Sequence, residues 1–110
     1  RKDMIVMKEV SKLMDYRPDI KVIDATLRDG GLVNEFRFSD DFVKALYNAN
    51  LRAGVDYMEF GYKGDKEMFD EDKFGPCKFC DDDYIRSIVG DNNTNTKLSV
   101  MADIGRIKFY

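Results

Sequence analysis

Val22-Ile-Asp-Ala-Thr-Leu-Arg-Asp-Gly-Gly31 is a run rich in β-branched and apolar residues that closes on an adjacent arginine and aspartate and then two glycines. In an extended chain the side chains alternate, so Ile23, Ala25 and Leu27 are predicted to share one face and Asp24, Thr26 and Arg28 the other. Gly30 and Gly31 then supply a turn at the strand's C-terminal end and leave Arg28 and Asp29 at its lip. The C-terminal ends of parallel strands are where α/β enzymes keep their reactive groups.

Downstream, Ser39 followed by Asp40 and Asp41 reads as an N-cap with acids at the positive end of a helix dipole. Phe42, Leu46 and Ala49 recur at helical spacing, and Ala53-Gly54 closes that helix. Residues 56–62 read as a second strand, with Tyr57, Glu59 and Gly61 on one face and Met58, Phe60 and Tyr62 on the other. Residues 63–80 are a charged connection rich in turn formers, predicted to lie at the surface. Asp81-Asp82-Asp83 opens another helix, ended by Gly90, and residues 97–103 form a third strand with Leu98, Val100 and Ala102 opposite Ser99, Met101 and Asp103. Upstream, Met4, Met7, Val10 and Met14 outline a short helix before Pro18.

Strand, helix, strand, helix, strand predicts right-handed βαβ units in a parallel sheet, hence an α/β fold. Strands of a doubly wound sheet tend to be apolar throughout, whereas each strand here carries polar groups on one face, as barrel strands do near an active site. A complete (β/α)₈ barrel takes about 250 residues, so the expectation is a partial TIM barrel of about three N-terminal βα units. Residues 20–110 are assigned to it and residues 1–19 to an N-terminal extension or short helix. A first residue other than Met suits a fragment of a longer chain.

The first motif resembles the Asp-x-Thr-Leu-Arg-Asp-Gly signature of the metal-dependent aldolase and acyltransferase superfamily that contains 4-hydroxy-2-oxovalerate aldolase, hydroxymethylglutaryl-CoA lyase and isopropylmalate synthase. Asp24, Thr26, Leu27, Arg28, Asp29 and Gly30 fit it. Ala53-Gly-Val-Asp-Tyr-Met-Glu-Phe-Gly61 is similar to the stretch those enzymes carry across their second strand. The resemblance spans residues 20 to 62, weakens beyond them and is absent before residue 18. It implies an aldolase-type lyase that makes or breaks a carbon–carbon bond on a small 2-oxo acid. It also implies a divalent cofactor, Mn²⁺ or Mg²⁺, in the complete protein.

Charge develops on the carbonyl oxygen beside the reacting bond, and a fixed cation with a Lewis acid stabilises it. The resemblance gives Arg28 the cationic, catalytic role and makes Asp29 a metal ligand, a hard oxygen suited to Mg²⁺ or Mn²⁺. Glu59, at the second strand, is expected to orient Arg28, or simply to form a buried ion pair with it. The alternative for Arg28 and Asp29 is an ion pair or loop cap at a strand end. Asp24 and Thr26 are read as hydrogen-bonding fillers of the barrel interior.

The departures from the family pattern are as specific as the matches. Family members complete the metal site with a His-x-His pair, and the oxovalerate aldolases place a histidine where this chain has Gly31-Leu32; this sequence has no histidine. Tyr47, Tyr62, Lys63 and Lys108 are the alternative proton carriers, and spacing does not choose among them. A non-catalytic, barrel-derived assembly or ligand-binding domain is the competing reading. The 110-residue chain alone is expected to be inactive.

Eighteen Lys and Arg against 21 Asp and Glu, dispersed along the chain, give a net charge of −3 and no footprint for nucleic acid or an anionic membrane. No apolar stretch approaches the roughly 20 residues that span a bilayer, and no secretory signal opens the chain, so the cytosol is expected. Cys77 and Cys80 form a single C-x-x-C with no second pair, read as two unligated thiols in a loop. The acidic run Gly64 to Lys73 lacks calcium-loop spacing and is read as solvated. Phe36 and Phe38 are placed as a hydrophobic brace before the helix rather than as a substrate mouth. Unpaired sheet edges in a partial barrel predict self-association.

Overall fold

A computed structural model describes residues 19–103 and 105 of the chain. The expected leading helix over residues 4–14 and Lys108 lie outside the described residues. The fold is α/β. Three parallel strands, β1 (Ile23–Asp24), β2 (Tyr57–Tyr62) and β3 (Lys97–Met101), form a sheet in the order β1-β2-β3. Helix α1 (Thr26–Asn34) follows β1 directly, α2 (Asp40–Ala53) precedes β2, and α3 (Asp82–Val89) precedes β3.

The first strand is much shorter than predicted. It ends at Asp24, and the Thr-Leu-Arg-Asp-Gly-Gly portion of the motif is helical. The predicted face of Ile23, Ala25 and Leu27 is split: Ile23 is 54% exposed and Leu27 fully buried, while Asp24 turns toward α2 and accepts from Asn50 Nδ2 at 3.0 Å and from Thr26 Oγ1 at 2.6 Å. Two glycines are poor helix formers, so packing overrides propensity here. A Cβ on Gly31 would stand 2.0 Å from the Phe36 ring, which is why this turn of α1 needs a glycine in the middle of a helix rather than at a bend. Glu35 closes α1 in the left-handed conformation, and the buried Phe36 follows with φ 60.

Helix α2 forms where predicted. Ser39 accepts from the Phe42 amide at 3.1 Å, Asp40 and Asp41 occupy the first turn, and Gly54 ends the helix at φ 73 with its N–H on the Asn50 and Leu51 carbonyls. The buried stripe lies one position along from the predicted one, at Val43, Tyr47 and Asn50. Phe42 instead stacks outside on Phe38, ring centroids 5.6 Å apart, so Phe38 is the brace. Tyr47 donates to Asn92 Oδ1, which ties α2 to the turn after α3.

Met58 and Phe60 of β2 are fully buried in one cluster with Leu27, Phe36, Val43, Tyr47 and Ile88. Cys77 and Cys80 belong to the same cluster, which corrects the expectation that residues 63–80 stay at the surface. Pro76 begins a 3₁₀ turn, Pro76–Lys78, that carries Cys77 inward, and Cys80 follows it into the core; both thiols are free. Its approach to the sheet requires Gly61, which has φ 143 and where a Cβ would stand 2.1 Å from the Cys77 carbonyl oxygen. Burial pushes the Cys77 thiol up to about 11, an effect the Tyr84 hydroxyl beside it partly offsets. Burial, followed by the neighbouring Cys77, raises Cys80 as well, so both act as neutral hydrophobes at physiological pH. Above the turn, the Lys78 ammonium lies 3.9 Å from the Phe69 ring centroid and 5.0 Å from that of Tyr62, so a cation packs against aromatic faces where the sequence suggested plain solvent.

Candidate functional site

Arg28 sits in the first turn of α1, just beyond the end of β1. Consecutive helical residues diverge by about 100°, so Leu27 enters the core while Arg28 reaches the side of the sheet that carries Glu59. Arg28 Nε lies 3.5 Å from Asp29 Oδ1 and 3.5 Å from Glu59 Oε1. The three residues singled out by the sequence are therefore brought together. Their environments differ: the Asp29 side chain is 71% exposed, that of Arg28 26% and that of Glu59 7%. The contacts have ion-pair distances without hydrogen-bond geometry, for Arg28 Nε and Glu59 Oε1 are both buried with no hydrogen-bond partner among the described residues.

Chemically this is a guanidinium held between a buried and an open carboxylate, at the end of a strand and in the first turn of a helix. Ala25, the residue before α1, gives no side-chain cap, and Thr26 spends its hydroxyl on Asp24. The arrangement can place a fixed positive charge beside an oxyanion while the buried carboxylate restrains that charge from below.

Two of the alternative proton carriers, Tyr47 and Lys63, make hydrogen bonds elsewhere. Tyr47 bonds Asn92, Lys63 Nζ donates to the Cys80 carbonyl at 3.1 Å, and the Tyr62 ring packs edge-on against Phe36. The acidic run behaves as turn chemistry: Asp65 and Asp70 accept from the amides of Glu67 and Asp72, and Lys66 pairs with Asp81 at 2.8 Å. No group of three or more His, Cys, Asp or Glu side chains that could hold a metal occurs among the described residues. No helix among them is long and apolar enough to cross a membrane.

Ser99 escaped the sequence reading. It pairs with Glu59 across β2 and β3, and its buried Oγ has no hydrogen-bond partner among the described residues. Alternation placed Ser99 on the polar face of β3, but only the register between strands puts it opposite Glu59. Comparisons with family models, curated proteins and solved structures gave no match.

Proposed function

We propose that this chain is the N-terminal portion of a TIM-barrel aldolase-type lyase, in which Arg28 holds the oxygen that becomes negative when a carbon–carbon bond beside the keto group of a small 2-oxo acid is cleaved or formed. The observation that carries the reading is the Arg28 guanidinium fixed between Asp29 and Glu59 at the end of β1. A cation positioned in advance, with part of its shell removed from water, stabilises an enolate oxygen more than a mobile surface arginine does. Glu59 is the positioning residue, because its buried carboxylate sets where the guanidinium lies.

In the complete protein, Mg²⁺ or Mn²⁺ would supply Lewis-acid chemistry, with Asp29 as one residue that would hold it. Asp29 offers one exposed hard-oxygen donor beside Arg28, and the described residues do not complete a ligand set around it. The 110-residue chain alone is accordingly expected to give no retro-aldol turnover with Mn²⁺.

Saturation-transfer NMR with 2-oxobutyrate tests the binding half of the proposal. The wild-type chain is expected to bind, and Arg28→Lys, which loses the planar fork, to bind about tenfold more weakly. Equal binding by the two overturns the role given to Arg28.

The absence of histidine favours a second reading, a barrel-derived domain that binds or assembles without catalysis. Solvent exchange of the C3 protons of 2-oxobutyrate by the full-length gene product separates the two, since only an enolate-forming site accelerates it. Cytosolic residence belongs to either reading. Either also leaves the β1 edge, where Val22 and Ile23 are both 54% exposed, to a second copy of the chain. Sedimentation velocity is expected to show mass rising with concentration, and a monomer at every concentration contradicts this.

A further inference from the structure

Of the buried polar atoms without a hydrogen-bond partner, Asn34 Oδ1 lies at the far end of α1, while Arg28 Nε, Glu59 Oε1 and Ser99 Oγ converge on one part of the sheet. Directly paired residues on neighbouring strands project from the same face, so Ser99 stands on the Glu59 side of the sheet. Glu59 is 5% exposed, and α1 lays Arg28 against it.

A buried donor or acceptor left unmet works against folding, and native chains meet nearly all of them. Arg28 Nε and Glu59 Oε1 face each other at 3.5 Å, which leaves Ser99 Oγ beside them as the buried donor that the described residues do not meet. The guanidinium N–H and the hydroxyl are donors that suit a ligand with acceptor oxygens, while Glu59 Oε1 is itself an acceptor and faces the guanidinium rather than the ligand. The carboxylate of Glu59 balances the guanidinium, so the site does not require a polyanion.

We propose that Ser99 is a ligand-contacting residue of this site, its hydroxyl donating to an oxygen of the same small 2-oxo acid that meets Arg28. The inference rests on the aldolase-type reading and deepens it by adding a neutral donor from the third strand. Ser99 and Arg28 then approach the ligand from two different elements, β3 and α1, which fixes its orientation as well as its charge.

The experiment is a calorimetric titration of the 110-residue chain with oxalate, whose planar paired oxygens copy those of a 2-oxo acid enolate, in wild type, Ser99→Ala and Arg28→Lys. Thermal unfolding of each ligand-free variant is measured alongside. Ser99→Ala is expected to weaken oxalate binding about tenfold. It is also expected to raise the unfolding midpoint of the free chain, because a methyl replaces an unmet buried hydroxyl. A purely structural serine would not produce that split. Unchanged oxalate affinity in Ser99→Ala, with affinity lost in Arg28→Lys, overturns the role of Ser99 and leaves the aldolase-type reading standing. No oxalate binding by the wild type overturns both.

Discussion

Gly61→Ala is expected to cost about 4 kcal/mol, most of the stability of a chain at the low end of the usual range of about 5–15 kcal/mol. Two effects add. The backbone there has φ 143, which an L side chain adopts only under strain, and the new Cβ would meet the Cys77 carbonyl oxygen at 2.1 Å. That oxygen belongs to the 3₁₀ turn which carries the buried Cys77 and leads into the buried Cys80, so the turn cannot retreat without opening the core. The ladder between β2 and β3 shifts register between Glu59 and Tyr62, which places Gly61 at the irregularity itself. Gly54→Ala is the control. Its φ is also positive, at 73, but nothing lies within 4 Å of the added Cβ, so a cost near 1 kcal/mol is expected. Urea unfolding of the two variants measures the difference, and equal losses would mean that the contact with Cys77 does not constrain the chain.

Arg28→Met is expected to destabilise the chain by about 3 kcal/mol at neutral pH, because it leaves the Glu59 carboxylate buried without its cation. The low end of the range for broken buried pairs applies, since the Arg28 side chain keeps 26% of its exposure. Adding Glu59→Gln is expected to restore most of the loss, as the charge that needed a partner is gone. A double-mutant cycle on unfolding free energies tests this. Additive losses would show that the two groups do not interact, and the positioning role of Glu59 would fall with them.

From α2 onward, the order and type of the predicted helices and strands were legible from local signals of the kind that packing rarely reverses: Ser39 with its following acids, the Gly54 cap, and the Tyr57 to Tyr62 run. The first strand was not, because Val22 to Leu27 is as good a strand as it is a strand-to-helix junction when read alone. What makes the second half helical is the Phe36 ring lodged against Gly31, a contact five residues away that no periodicity reveals. The α2 stripe moved by one position for a similar reason. Tyr47 and Asn50 have polar partners, Asn92 and Asp24, that reward their burial, so a count of apolar residues picked the neighbouring face.

The site divides along the same line. Arg28 and Asp29 are adjacent in sequence, and Glu59 sits at a definite place in a recognisable strand, so their meeting was open to inference. Ser99 was hidden because parallel pairing is set by packing between units and not by any turn whose length can be counted. The buried thiols were missed because Pro76 and Gly75 announce a turn without saying which way it faces.

Arg28 carries the account, and its own Nε–H reports on it. In a ¹H–¹⁵N NMR titration with 2-oxobutyrate, the Arg28 Nε–H resonance is expected to shift progressively and to saturate, while side-chain resonances of Arg52 and Arg86 on the other helices stay in place. An Arg28 resonance that does not move at ligand concentrations well above those that saturate binding elsewhere would contradict the claim that this guanidinium holds the ligand's oxygen.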